Sequence, residues 1–284
     1  MKPTPEQMRD LLAAFAPMKG QFPFRLGTTS YIYPGEILPN VELLADCIDE
    51  IQLLLFEGHS YSNIPNRETI ERLNEIASEK QITYSIHLPL DIYPGHEEES
   101  VRKESVRTIE SIYRVGRELN CETFVFHYAN RNPNGRSFRS LRTWRERLCR
   151  STEELIALGI SSQHLCVENL SYPFSWVSDL VDQYRLSKCI DIGHLRVHSF
   201  PVQSHLKNHL PDSKIVHLHG LKNGVDHKGL SHRDGRSIRQ LFRKIEEFQY
   251  RGSVILEVFQ LTHLLESLQT FQHYWKRWQK EKSY

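Results

Sequence analysis

The amino-acid sequence predicts an α/β fold, a single (β/α)8 TIM barrel, on three observations. Eight short apolar runs of strand-like composition alternate with amphipathic helical stretches, no Ser- or Gly-rich linker divides the alternation, and seven of the eight runs end in His, Asp or Glu. Strands that are apolar throughout and separated by helices belong to a parallel sheet covered on both faces. Eight of them favour a closed barrel over the alternative, a doubly wound open sheet.

Taken in order, a short amphipathic helix forms an N-terminal helical extension over residues 1–24, and the barrel occupies 25–284. The extended runs are Arg25 to Thr29, Ile51 to Glu57, Ile82 to His87, Thr123 to His127, His164 to Glu168, Lys188 to Asp191, Lys214 to His217 and Val254 to Glu257. Helices are expected near 40–50, 66–80, 97–120, 138–159, 174–186, 201–211, 235–250 and 262–280, as crossovers between parallel strands. Within 138–159, Leu141, Trp144, Leu148, Leu155 and Leu158 recur at mainly helical intervals, as packing on a barrel requires.

Apolar residues make up 39% of the chain and charged residues 25%, which suffices for a large core and excludes disorder. The net charge of +1 gives no global field for nucleic acid or anionic membrane. No stretch approaches the roughly 20 apolar residues of a membrane span, and the N-terminal MKPTPEQMRDLLAAFAPMK carries Asp and Glu where a signal region would be apolar. A cytoplasmic location is expected. The five cysteines show no C-x-x-C or finger spacing; Cys166 and Cys189 fall inside apolar runs and read as small core residues with reduced thiols.

The residues that end the runs carry the chemistry. They are Glu57, His87, His127, Glu168, Asp191, His217 and Glu257, and in a parallel barrel they gather on one face. One such residue is ordinarily a satisfied core histidine or a helix cap. Several carboxylates in register in a low-dielectric funnel repel one another unless cations lie between them. Two further stretches extend the ring: Asp191-Ile192-Gly193-His194, and Val225-Asp226-His227 in the loop after the seventh run. Imidazole and carboxylate without thiolate suit zinc, manganese or iron(II). His219, two residues after His217, points to the same side of its strand and either supports a ligand or contacts substrate. His198, His205 and His209 read as surface residues of a polar helix.

The set VEN at Glu168, DIGH at Asp191 and His194, VHLHG at His217 and LEVF at Glu257, with His87 in IHLPL and His127 in FHYAN, resembles the xylose isomerase-like barrels. That superfamily includes endonuclease IV and sugar-phosphate isomerases and epimerases, and the likeness runs from Arg25 to the last helix. It implies that Glu168, Asp191, His217 and Glu257 hold one metal, with Glu168 and Glu257 also the catalytic acid and base of an isomerase. A trinuclear, endonuclease-like site would add His87, His127, His194 and the Asp226-His227 pair. The endonuclease pattern in that loop is Asp-x-His, from which this chain departs.

The segments LGTTSYIYPGEILPNVELLAD, LLLFEG, HLPLDI, CVENL, CIDIGHL, HLHG followed by DH, and EVF are most similar to the cobamide-remodelling phosphodiesterases. That resemblance implies hydrolysis of the phosphodiester in the nucleotide loop of a cobamide by two or three divalent ions. A corrinoid, plausibly adenosylated, would be substrate, since the D-x-H-x-x-G box of cobalamin-holding enzymes is absent. Glu57, His219, Tyr31, Arg131 and Trp176 are the expected substrate contacts, with Tyr31-Ile32-Tyr33, Tyr172 to Trp176 and Phe259 as aromatic walls. Rival readings are a sugar or sugar-phosphate isomerase or epimerase, and a barrel that only binds its ligand. An abasic-site endonuclease is a further rival, drawn from the seven arginines between Arg131 and Arg150; the near-neutral net charge disfavours nucleic acid.

Overall fold

Eight parallel strands close on themselves in the computed structural model, which describes residues 4–56, 62–130 and 138–282. They are β1 (Arg25–Thr29), β2 (Glu50–Leu54), β3 (Thr83–His87), β4 (Phe124–Phe126), β5 (Leu165–Glu168), β6 (Ser187–Asp191), β7 (Ser213–Leu218) and β10 (Ser253–Leu256). Between β7 and β10 lies an antiparallel hairpin, β8 (Gly220–Lys222) and β9 (Val225–Lys228). Strand β1 pairs with β2 through Gly27 and Glu50 and with β10 through Arg25 and Ser253, so the sheet has no edge and the open-sheet alternative is excluded.

The helices are α1 (Pro5–Ala13), α2 (Ile37–Leu44), α3 (Arg67–Lys80), α4 (Glu99–Glu118), α5 (Phe138–Ala157), α6 (Ser178–Gln183), α7 (Ile192–Val197), α8 (Val202–His209), α9 (Gly235–Glu247) and α10 (Leu261–Lys282). None is long and apolar enough to cross a membrane. Local chemistry sets several starts. Thr4 and Gln7 form a capping box on α1, and the Asn66 side chain accepts the Thr69 N–H at 2.9 Å at the head of α3. Met8 and Leu12 of α1 join the same continuous core as the helices around the barrel.

The DIGH segment folds into the start of α7, where the Asp191 side chain accepts the His194 N–H. Two expectations need correction. The stretch 40–50 is a shorter helix that starts and ends earlier. His205 and His209 are half-buried, with the Phe174 ring packed on both at 5.5 and 5.0 Å between centroids. Burial, with His209 and Lys188 close by, pulls His205 down to about 3.

The strand period of two positions the upper rim. Cys166, Cys189, Ile215 and Ile255, with Val125, form the inner layer of the barrel. Two residues further along the same strands, and therefore on the same inward side, stand Glu168, Asp191, His217 and Glu257. Cys166 and Cys189 are thus the buried core thiols expected of them. At the opposite end Glu50 closes the barrel floor, accepting from Arg25 Nε at 2.8 Å and from Ser253 Oγ.

Helix α4 lies on β3 and β4 with Gly116 at the crossing. A Cβ there would fall 2.4 Å from Phe124 Cε1 and 2.6 Å from Ile86 Cδ1. Gly116→Ala gains roughly 1 kcal/mol of helix propensity and incurs about 1–3 kcal/mol of overpacking against two strands. Urea unfolding should therefore show a lower midpoint for the variant, although Ala is the better helix former. A raised midpoint would mean that α4 can shift outward freely.

Candidate metal centre

Glu168 ends β5 almost completely buried, and four imidazoles face it. Its Oε2 lies 3.3 Å from His87 Nε2, 3.2 Å from His127 Nε2 and 3.5 Å from His217 Nδ1, while Oε1 lies 3.0 Å from His194 Nδ1. Strand β3 delivers His87, the residue after β4 delivers His127, α7 delivers His194 and β7 delivers His217. Glu257, directly after β10, places Oε2 3.3 Å from His217 Nδ1 and 3.5 Å from His227 Nδ1.

Asp191 is held more firmly than either glutamate. Its Oδ1 accepts the His194 N–H at 2.6 Å, and His219 Nε2 lies 3.2 Å from Oδ1 and 3.3 Å from Oδ2. That leaves Oδ2 facing His194 Nδ1 at 3.6 Å and His217 Nδ1 at 3.8 Å. Asn169, the third letter of VEN, staples the two strand ends. Its Oδ1 accepts the Asp191 N–H at 2.8 Å and its Nδ2 donates to the Asp191 carbonyl at 3.0 Å.

These separations suit donors to shared ions. Glu168 Oε1, Glu257 Oε2 and both ring nitrogens of His217 are buried with no hydrogen-bond partner. The Nδ1 of His87 lies 2.8 Å from the Leu88 carbonyl and therefore carries the proton, which leaves Nε2 with a lone pair aimed at a carboxylate oxygen. Lone pairs facing one another need a cation between them. Donors at 2.0–2.1 Å around a tetrahedral ion stand roughly 3.3 Å apart, the spacing seen here.

Four groups of donor atoms lie within 4.8 Å of one another among the described residues: His87, His127 and Glu168; Glu168, Asp191, His217 and Glu257; Glu168, Cys189 and His217; and His194, His219 and His227. Glu168 belongs to three of them. His219 is fully buried with both ring nitrogens engaged by protein, so the expectation that it contacts substrate is replaced by a supporting role. Asp226 enters none of the groups. It is adjacent to His227 on β9, and its charge acts on His198.

Above the ligands opens a cavity of about 420 Å³. Its polar lining is His87, His127, Glu168, His194, His227 and Glu257; its apolar lining is Tyr31, Leu54, Leu55, Phe56, Leu88, Leu90 and Phe259. Tyr31 and Phe259 stand where an aromatic wall was expected. Trp176 does not line the cavity: it stacks on Tyr172 at 5.5 Å, and Tyr172 is tied by its hydroxyl to the Tyr128 carbonyl. Sequence reading missed Leu88 and Leu90, two leucines of the IHLPL segment that follow His87, and the clamp Asn169. Glu57 and Arg131 lie outside the described residues.

A family model described as a xylose isomerase-like TIM barrel matches residues 41–275. The chain belongs to the xylose isomerase-like TIM barrel family. Solved structures with this family's fold include a D-tagatose 3-epimerase-like protein, 20% identical, covering 91% of this chain and 99% of that one with a TM-score of 0.72. Endonuclease IV from Thermus thermophilus is 18% identical over 89% of this chain and 98% of its own, TM-score 0.67. The 3-keto-D-glucoside 4-epimerase from E. coli is 16% identical over 87% and 98%, also at 0.67. No curated protein sequence matches the chain.

Without an ion, the xylose isomerase-like centre is balanced by protons. Burial pushes the Glu168 carboxyl up, but the charges of His217 and His127 outweigh it and hold the group well below the usual range. Burial likewise raises Glu257, and His217 overrides it downward. Burial lowers His194, yet Asp191 and Glu168 drive it to about 10 from the ordinary 6.5. A histidine raised in the folded state stabilises fully below its unfolded pKa and loses that contribution as pH climbs through its folded one. Chelator-stripped protein should therefore lose thermal stability between about pH 6.5 and 10. Protein supplied with zinc or manganese should not, because the ion replaces the proton. Identical melting profiles with and without metal would contradict the ligand assignment.

Proposed function

We propose that the chain is a metal-dependent phosphodiesterase that hydrolyses the phosphodiester in the nucleotide loop of a cobamide. The observation that carries the phosphodiesterase reading is the convergence of His87, His127 and His194 on the two oxygens of Glu168. The set Glu168, Asp191, His217 and Glu257 already suffices for one ion; three further imidazoles on the same carboxylate provide for a second and a third. Zinc or manganese fits the donor set, and iron(II) is compatible with it. Ions bound there would supply Lewis acidity toward phosphate oxygens and a water acidic enough to attack at neutral pH.

The protein's own groups do the rest. Glu168 would contribute a ligand oxygen to ions held there, and Glu257, whose Oε2 has no hydrogen-bond partner, would orient the attacking water. One P–O bond to water forms as the ester P–O bond breaks, with the water's proton passing to the departing alkoxide. The products are a phosphate-bearing cobinamide and a base riboside. Support for a bulky, planar substrate comes from the apolar wall of Tyr31, Leu54, Leu55, Phe56, Leu88 and Leu90 on the β1–β3 side.

A second reading is a sugar or sugar-phosphate epimerase, with Glu168 and Glu257 shuttling a proton on either side of a ketose held by one ion. The complete four-residue set and the epimerases among the similar folds favour it. Against it, the only described lining side chain besides the candidate ligands that could hydrogen-bond a polyol is Tyr31, set in an otherwise apolar wall.

Metal counting on protein purified without chelators, with adenosylcobalamin and D-tagatose offered in parallel, separates the two. His87→Ala and His127→Ala should each abolish release of phosphate-bearing cobinamide and lower the metal content. Full metal content in both variants, with turnover of the ketose alone, would establish the epimerase instead. For the wall, Tyr31→Ala should weaken cobamide binding by about tenfold, the 1–2 kcal/mol of a lost aromatic contact, while hydrolysis of a small generic phosphodiester holds. Trp176→Ala should leave both nearly unchanged. Equal losses on the two substrates in the Tyr31 variant would remove the corrinoid from the proposal.

A further inference from the structure

We propose that His219 is a positioning residue joining the two ends of the metal centre: its Nε2 fixes the Asp191 carboxylate, and its Nδ1 seats the hairpin that presents His227. The proposal rests on the metal-centre reading above. His219 is completely buried, so neither solvent nor substrate reaches it. The backbone N–H of His227 points at His219 Nδ1 at 3.0 Å, and an N–H can donate only to a nitrogen with a free lone pair. The ring proton therefore sits on Nε2, which faces both Asp191 oxygens at 3.2 and 3.3 Å. One tautomer satisfies both contacts.

Two features show that room and strain are committed to this ring. A Cβ on Gly193 would fall 1.9 Å from His219 Cε1 and 2.2 Å from Nε2, so the glycine of DIGH is needed for space. His227 has φ 50, a left-handed conformation that a non-glycine residue adopts only when its surroundings hold it there. What holds it is the bond to His219, a ring stack on His219 at 4.2 Å and the Phe259 ring at 4.9 Å. In that pose His227 Nδ1 lies 3.2 Å from the Glu257 backbone carbonyl and 3.5 Å from its Oε2. Asp191, deep in the barrel, and His227, at the rim, thus take their positions from the same imidazole.

Two conservative variants separate the two bonds. His219→Gln reaches far enough to donate to Asp191 but offers nothing where Nδ1 was. His219→Asn places a carbonyl near the Nδ1 position, able to accept the His227 N–H, and stops short of Asp191. Metal content by mass spectrometry, zinc affinity, and hydrogen exchange over residues 220–228 are the readouts. The Gln variant should keep the deep ion, lose the rim equivalent and exchange faster in the hairpin. The Asn variant should keep slow exchange and lose about tenfold or more in affinity for the deep ion, the usual effect of removing a group that orients a ligand.

Gly193→Ala, which displaces the ring without altering its chemistry, should produce both losses at once and add nothing when combined with His219→Asn. If both His219 variants change both readouts alike, or neither changes anything, the joint does not exist. Wild-type protein that takes up no zinc would overturn the metal-centre reading instead, and hairpin exchange in the Gln variant would still judge the contact to His227.

Discussion

A carboxylate removed from water among imidazoles is the constraint on which the rest depends. Glu168 is too deeply buried for solvent to stabilise its charge, so the fold must bring positive charge to it. It does so from four directions, through β3, the end of β4, α7 and β7. Much of the surrounding architecture serves that meeting. Asn169 locks the β5 end to the β6 end, Asp191 caps α7 so that His194 swings over the rim, and His219 anchors Asp191 from behind. The inner layer below, with Cys166 and Cys189, is small and apolar, so the charged ring has a dry floor.

The same constraint explains how the mouth is divided. Candidate ligands occupy the β3 to β10 arc, whereas β1 and β2 contribute no described ligand and their loops supply Tyr31 and Phe56 to the wall. A low-dielectric wall beside a charged floor strengthens every interaction the floor makes with a substrate. Thr28 and Thr29 of β1 direct their hydroxyls to the backbone carbonyls of Leu256 and Val258.

The barrel was legible because its strands are apolar runs at regular intervals, and the ring was legible because a period of two fixes which end residue points inward. Glu168, Asp191, His217 and Glu257 converge as that logic requires. What sequence could not yield follows from geometry that no spacing encodes. Asp226 and His227 are neighbours, and only the hairpin, with His227 in a left-handed conformation, shows that His227 and not Asp226 joins the donor groups. His219 and His217 share a side of their strand, yet one faces the Glu168 and Glu257 carboxylates and the other lies behind Asp191. Trp176 sits in an aromatic-rich loop that looked like a wall, yet it stacks half-exposed on the buried Tyr172 and does not line the cavity. Leu88 and Leu90 line the mouth from the segment just past β3, where no spacing marks a lining residue.

The ligands of the four-residue set come from β5, β6, β7 and the end of β10, so the last of them is supplied near residue 257 of a chain made from its N-terminus. Strand β10 is also the one that closes the barrel against β1. During synthesis the chain can offer incomplete sets of donors, but the full cage exists only once the ring is shut. With an ion held there as proposed, its capture would work as a quality check on topology: a molecule with an unpaired β10 would not load the four-residue site, and a loaded one would resist opening at that seam, since separating β10 from β1 would withdraw Glu257 from the ion.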